Sequence, residues 1–159
     1  MAALKLLAVA INSRRMGYVF FHTHQLKDWR SMTKPTTTQT EAAGAMQHLI
    51  NQFQPDVVVT EKIDEKVRDT FVGHLKAAVE RTAAQNYVLD VSVQRSRNFA
   101  NKYEEAAAYG QLYPELQALV PPVRMAFGHE PARLIPFDAL ALAHKVLQRP
   151  THHLAAAMG

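Results

Sequence analysis

Three polar residues stand where they could take part in chemistry, although they lie far apart along the chain. Asn12 follows an apolar run, Glu61 follows Val-Val-Val-Thr, and Asp138 opens an almost wholly apolar segment. Carboxylates on rigid elements can bind divalent metal ions, which activate water and stabilise the leaving oxygen in phosphodiester hydrolysis. These three residues are therefore the candidate catalytic set, with Glu61 and Asp138 as the candidate metal ligands.

Each member of this set also has an interpretation without chemistry. Glu61 can be a solvated strand end, and Asn12 can be an ordinary turn residue. Asp138 can be an acid favoured at a helix N-terminus, where such a charge contributes roughly 0.3–1 kcal/mol. The elements that carry the three residues decide between these interpretations, because chemistry requires the side chains to meet.

The N-terminal half of the chain predicts three neighbouring strands, followed by alternating helices and strands. Apolar runs, aromatic clusters and capping signals mark the elements. The expected strands are Leu6 to Ile11, Tyr18 to His22, Gln25 to Arg30, Asp56 to Thr60 and Tyr87 to Val93. The expected helices begin at the Thr38/Glu41 capping box and at Asp64, the second as one helix with Val67, Phe71, Leu75, Ala78 and Val79 along its apolar stripe.

The C-terminal half predicts two helices. Asn101 and Glu104 open the first, whose stripe is Ala108, Leu112, Leu116 and Leu119, with a break or kink expected at Gly110 and Pro114. Pro136 suits the first turn of the second, which is apolar nearly all round and is expected to pack deep. Residues 1–150 are expected to form one domain, and residues 151–159 a frayed tail.

This order of elements predicts an α/β fold. Three meandering strands followed by parallel crossovers give a mixed five-stranded sheet with helices on both faces. The first and fourth strands then lie side by side and parallel, and open α/β sheets place their sites at the carboxyl ends of such strands. Asn12 and Glu61 are expected at this edge, with Asp138 in the first turn of the last helix.

Composition excludes several classes of function. The 159 residues include no cysteine, which excludes disulfides, thiolate zinc sites, iron–sulfur clusters and cysteine nucleophiles. No apolar run approaches the ~20 residues of a membrane span, so no membrane association is expected. The N-terminus lacks a basic leader and a cleavage site, so we expect a cytoplasmic protein.

Positive charge points weakly to a polyanionic partner. The net charge is +4, and residues 1–40 contain six basic side chains against one acid. A solvated surface explains so small a bias about as well. The candidate phosphate-contacting residues are Arg14, Arg15, Arg95, Arg97, Lys102, Arg124 and Arg133.

Three segments resemble the motifs of the RuvC-type Holliday-junction resolvases, a family of the RNase H-like superfamily. They are Ala-Ile-Asn12-Ser-Arg-Arg-Met-Gly17-Tyr18, Gln52-Phe-Gln-Pro-Asp-Val-Val-Val-Thr-Glu61 and Phe137-Asp138-Ala-Leu-Ala-Leu-Ala143. The resemblance implies an RNase H-like fold, DNA or another structured nucleic acid as partner, magnesium or manganese as cofactor, and a homodimer. Position by position, it makes Glu61 and Asp138 metal-binding catalytic carboxylates and Lys102 a phosphate-contacting lysine.

The chain departs from the family pattern where metal ions would bind. Asn12 stands in place of a central aspartate, and an amide offers one neutral oxygen where a carboxylate offers two charged ones. Ile135 stands in place of a further carboxylate, and Asp64 in place of a base-stacking phenylalanine. Weak or absent metal binding is therefore expected, with substitution by Asp64 or Asp90 left open.

The favoured hypothesis is a RuvC-like protein that binds nucleic acid but cleaves it weakly or not at all. One alternative is an active, magnesium-dependent, structure-selective endodeoxyribonuclease. Another is a non-catalytic interaction module that kept the fold. His22 and His24 share a strand face and could begin a metal site, but an exposed strand end explains them more simply.

Overall fold

A computed structural model describes residues 4–95, 99, 101–120 and 134–147. The fold is built around one mixed sheet. The strands are β1 (Lys5–Ile11), β2 (Met16–His22), β3 (Gln25–Met32), β4 (Val57–Glu61) and β5 (Leu89–Val93). The helices are α1 (Gln39–Phe53), α2 (Glu65–Arg68), α3 (Phe71–Gln85), α4 (Lys102–Leu112) and α5 (Ile135–Leu147). Short 3₁₀ segments cover Lys34–Thr36 and Pro114–Leu119.

The strand order is β3-β2-β1-β4-β5. β1 pairs antiparallel with β2 and parallel with β4, and β5 adds a second parallel pair. This arrangement confirms the predicted mixed five-stranded α/β sheet. It also places the carboxyl ends of β1 and β4 side by side.

The three central strands, β2, β1 and β4, are buried on both faces, as the apolar runs of β1 and β4 predict. Leu6, Ala8 and Val57 face one core, to which α4 and α5 contribute. Leu7 and Val58 face the other, which is closed by α1 and α3. Side chains along β4 point alternately to the two faces of the sheet. Glu61 therefore lies on the same face as Val57, whereas Thr60 lies on the opposite face.

One predicted helix is wrong, because the chain after Asp64 forms two helices. Asp64 caps α2 as expected, but α2 ends at Arg68 and Thr70 caps α3 by accepting a hydrogen bond from the Gly73 amide. A β-carbon added to Gly73 would lie 1.9 Å from the Val67 carbonyl oxygen, so this corner closes only around a glycine. The break turns Phe71 outward, and it is 49% exposed.

The predicted stripe of the helix that opens at Asn101 is wrong in part: Leu116 is buried and α4 ends at Leu112, before Pro114, as expected. The helix continues through Gly110, and its buried face is formed by Glu105, Ala106 and Gly110. Leu112, expected in the core, is 60% exposed. A β-carbon added to Gly110 would lie 2.6 Å from Val120 Cγ2. Val120 can pack this closely only because the helix face that carries Ala106 and Gly110 has small side chains.

All five predicted strands are found, and each differs from its expected bounds by one or two residues. β3 extends to Met32, two residues beyond the predicted end at Arg30. β5 begins at Leu89, because Tyr87 adopts a left-handed φ of 58° and is 98% exposed. The capping predictions hold, since Thr38 accepts from the Glu41 amide.

Helix α5 is packed deep, as its composition predicts. Most of its residues are buried, including Asp138 in its first turn. Ile135 lies against Gly17 of β2, where a β-carbon would approach to 2.8 Å, so the glycine allows the helix to begin close to the sheet. The expected loop over residues 121–134 lies almost wholly outside the described residues, and the expected tail over 151–159 lies entirely outside them.

Candidate functional site

The structure brings Asn12, Glu61 and Asp138 to one cleft. All three line a cavity of about 240 Å³ at the carboxyl ends of β1 and β4. A water molecule takes up about 30 Å³ of liquid, so the cavity has room for a hydrated group such as a phosphate. The expected convergence of the three residues is therefore confirmed as geometry, while their chemical roles remain a prediction.

Neighbouring elements fix the positions of these residues. Asn12 directly follows β1, and Glu61 is the last residue of β4, which runs parallel to β1. Asp138 reaches the same edge from α5, whose first residue, Ile135, also lines the cleft. The cleft thus lies where the fold predicts a site.

The Asn12 side chain organises the turn between β1 and β2. Its Oδ1 accepts hydrogen bonds from the backbone amides of Arg14 (2.9 Å) and Arg15 (2.8 Å). The backbone N–H of Asn12 donates to the Arg15 carbonyl oxygen at 2.9 Å. The turn interpretation of Asn12 is therefore correct, and it coexists with a place on the wall of the cleft.

Glu61 is paired with a lysine from α3. Lys76 Nζ lies 3.3 Å from Glu61 Oε1, and the two side chains are 14% and 36% exposed, respectively. Lys76 lies in the same helical row as Val72, Leu75 and Val79, which face the sheet. Its stem is covered while its ammonium group reaches the cleft, as long basic side chains commonly do.

Asp138 belongs to a charge network centred on Arg95. Arg95 Nη2 donates to Asp138 Oδ1 at 2.7 Å and to Glu105 Oε1 at 2.6 Å. Its Nη1 donates to Glu105 Oε2 at 3.3 Å, which completes a two-pronged contact. Lys102 Nζ lies 3.6 Å from Asp138 Oδ2, and the Lys102 side chain is 46% exposed.

The surroundings keep Arg95 charged. Burial lowers the pKa of its guanidinium, but hydrogen bonding to Glu105 and the negative charges of Asp138, Glu105 and Glu61 outweigh that effect and raise it. The guanidinium is therefore a permanent positive charge inside the cleft.

The predicted phosphate-contacting residues fall into three groups. Arg95 and Lys102 line the cleft. Arg14 and Arg15 lie on the adjacent β1–β2 turn, outside the residues that line it. The remaining candidates, Arg97, Arg124 and Arg133, lie outside the described residues.

The structure does not place either proposed substitute ligand in this cleft. Asp64 is exposed, caps α2 through the Lys66 amide, and lines a neighbouring cleft that also contains Glu61. Asp90 lies on the opposite face of the sheet, where Thr60 Oγ1 donates to its Oδ1 at 3.0 Å. Burial, together with the nearby charge of Glu80, raises the pKa of Asp90 to about 6 despite that hydrogen bond.

Sequence reasoning missed Lys76, Glu105 and Phe99 as parts of the site. Lys76 and Glu105 carried a readable signal, because each is a charged residue in the buried row of an otherwise amphipathic helix. Phe99 lines the cleft and is 37% exposed, and no pattern in the sequence marks it.

The donor set of the cleft does not fit a pair of divalent ions. Mg²⁺ requires several oxygen ligands in near-octahedral geometry. Here the Asn12 oxygen is held by two amides, and Glu61 and Asp138 contact side-chain cations. Within the described ranges, no group of three or more His, Cys, Asp or Glu side chains could hold a metal ion. His22 and His24 are exposed, at and just beyond the end of β2.

The solved structures similar to this chain include several Holliday junction resolvases. Thermus thermophilus RuvC is 18% identical, with a TM-score of 0.52 over 98% of this chain and 97% of its own. The same protein in complex with a Holliday junction substrate gives a TM-score of 0.55, with 18% identity over 98% of this chain and 96% of its own. The Fowlpox virus resolvase, in complex with Holliday junction DNA, is 10% identical, with a TM-score of 0.58 over 91% of this chain and 97% of its own.

These likenesses establish the fold alone, which is the RNase H-like architecture of RuvC. No protein-family model matches the chain, and no curated protein matches its sequence. Across the described ranges, no helix has both the length and the apolar character needed to cross a membrane.

Proposed function

We propose that this protein is a RuvC-like nucleic-acid-binding protein that binds branched DNA at the cleft and cleaves it weakly or not at all. The observation that carries the proposal is the convergence of Asn12, Glu61 and Asp138 on one cleft with Lys102 at its exposed side. Two of the similar structures contain Holliday junction DNA, which makes a branched duplex the first partner to test.

The chemistry of the cleft supports binding to a nucleic-acid backbone. Lys102 is nearly half exposed, so its ammonium group can contact a phosphate while Arg95 holds Asp138 from within. Phe99 presents an aromatic ring on the same cleft, and nucleic-acid bases stack on such rings. Lys62 and Arg68 line the neighbouring cleft beside Glu61, together with the acids Asp64 and Glu65, and give it two further cations that could contact phosphates.

The same residues support weak cleavage. Hydrolysis of a phosphodiester by two metal ions needs charged oxygens that bridge the ions. Asn12 provides a neutral oxygen that already accepts hydrogen bonds from the turn, and Ile135 provides no ligand at all.

From the resemblance to the RuvC-type resolvases we also propose that the protein is a homodimer. Light scattering at several protein concentrations tests this.

The experiment measures binding and cleavage separately. Fluorescence anisotropy with a four-way DNA junction and a linear duplex of the same sequence should show binding that weakens steeply as salt rises. Incubation with Mg²⁺ or Mn²⁺ should give little nicking. Absence of junction binding even at low salt would refute the binding claim.

Matched variants decide the cleavage claim. Robust nicking that is lost in Glu61→Gln but kept in Glu65→Gln would refute weak cleavage and favour the active endonuclease instead. Glu65 is the suitable control because it is an exposed acid on α2, four residues from Glu61, and it lines the neighbouring cleft rather than the one that Glu61 shares with Asp138.

A further inference from the structure

The carboxylates of the cleft already contact side-chain cations. Glu61 Oε1 lies 3.3 Å from Lys76 Nζ, and Asp138 Oδ1 lies 2.7 Å from Arg95 Nη2. The second oxygen of Asp138 faces Lys102 at 3.6 Å. The oxygens that a divalent ion would need therefore face ammonium and guanidinium groups.

Arg95 is held in place by the buried carboxylate of Glu105. Glu105 is buried, with 5% of its surface exposed, and both of its oxygens accept from Arg95. Displacing the guanidinium would leave Glu105 as a buried charge without this partner, which is strongly unfavourable. A metal ion would therefore have to bind beside Arg95 rather than replace it, and like charges at such distances repel.

The charges that line the cleft also cancel. Its acids are Glu61, Glu105 and Asp138, and its bases are Lys76, Arg95 and Lys102. A site that attracts divalent cations normally carries an excess of carboxylates. The formal charges that line this cleft sum to zero, so it has no excess of negative charge to concentrate cations.

We propose that Arg95 and Lys76 supply the positive charge that divalent ions would otherwise provide between these carboxylates, so that the cleft holds no resident divalent metal. The guanidinium bridges Asp138 and Glu105, and the ammonium group neutralises Glu61. This inference concerns the protein alone and is independent of whether it binds nucleic acid.

Titration of the free protein with Mn²⁺, followed by water-proton relaxation, tests the inference directly. The natural protein should show no saturable binding at millimolar Mn²⁺, and its melting temperature should not rise. Saturable binding that Glu61→Gln or Asp138→Asn abolishes would overturn the proposal, whatever the outcome with DNA.

Removing the internal cations should create a metal site. Arg95→Gln should show saturable Mn²⁺ binding at millimolar concentrations at which the natural protein shows none, since one like charge is removed while Asp138 and Glu105 remain. Adding Asp138→Asn in the same chain should abolish the gain. Arg81→Gln is the matched control, because Arg81 is an exposed arginine that contacts Gln39 far from the cleft, and it should bind no Mn²⁺.

A second variant keeps the test decisive if Arg95→Gln fails to fold. Lys76→Met removes the partner of Glu61 but retains an apolar stem against the sheet, and it should also gain Mn²⁺ binding. A folded Lys76→Met or Arg95→Gln protein that binds Mn²⁺ no better than the natural chain would contradict the proposal.

Discussion

Asn12 has a structural task that a purely catalytic interpretation overlooks. Its side-chain oxygen accepts hydrogen bonds from the backbone amides of Arg14 and Arg15, within the tight turn between β1 and β2. Asparagine and aspartate both serve such turns, because a short side chain with an acceptor oxygen can reach the backbone two or three residues ahead.

Asn12→Ala should therefore lower the free energy of unfolding by about 1 kcal/mol, through loss of the two accepted hydrogen bonds. Asn12→Asp keeps an acceptor at the same position and should stay closer to the natural value. Urea denaturation measures both. Ser13→Ala is the control, since Ser13 is exposed on the same turn, and an Asn12→Ala protein as stable as that control would show that the turn does not depend on the amide.

At the scale of elements, the corner between α2 and α3 depends on one glycine. Gly73 closes against the Val67 carbonyl at a distance that excludes any side chain. This corner sets the direction of α3, which carries Lys76 to Glu61. A change at Gly73 should therefore affect the cleft as well as the stability of the fold.

Gly73→Ala should destabilise the protein by about 1–3 kcal/mol, because the added methyl group forces backbone to move. Gly44→Ala is the matched control: Gly44 is exposed within α1 with open space beside it. That substitution should stabilise the fold by about 0.5–1 kcal/mol through helix propensity. Thermal denaturation compares the two, and equal effects of the two substitutions would contradict the close approach at Gly73.

The packing of α3 on β5 makes stability depend on pH through Asp90. Burial beside Glu80 raises the pKa of Asp90 from its usual 3.8 to about 6. The folded protein then binds this proton more tightly than the unfolded chain does. Asp90 consequently stabilises the fold less as pH rises from about 4 to about 6.

Asp90→Asn should remove that penalty. The variant should be more stable than the natural protein at pH 7 by about 1–2 kcal/mol, and the difference should vanish near pH 4. Urea denaturation across this range measures it, with the exposed Asp69→Asn as control. A constant difference at all pH values would show that Asp90 does not titrate as described.

At the scale of the whole molecule, the sheet and the cleft were predictable because local signals agreed with the topology. The apolar runs before Asn12 and Glu61 fixed two strand ends, and the parallel crossover brought those ends together. Asp138 followed from the apolar composition of α5, which had to pack on the same sheet.

The charge network was not predictable, because it depends on tertiary contacts between distant side chains. The sequence made Arg95 a candidate phosphate-contacting residue. In the structure it bridges two acids, Glu105 of α4 and Asp138 of α5. Lys76 reaches Glu61 only because α3 begins after a break that no periodicity indicates. Periodicity locates faces of elements, whereas ion pairs depend on where those faces meet.

The central claim is that nucleic acid binds at the cleft, and the affinity of a four-way junction for Lys102→Gln tests it most directly. Lys27→Gln is the matched control, since it removes the same charge from an exposed position on β3, at the far edge of the sheet. Lys102→Gln should weaken binding several-fold and reduce the salt slope by about one, while Lys27→Gln should leave both nearly unchanged. Equal effects of the two substitutions, or none from Lys102→Gln, would contradict the claim.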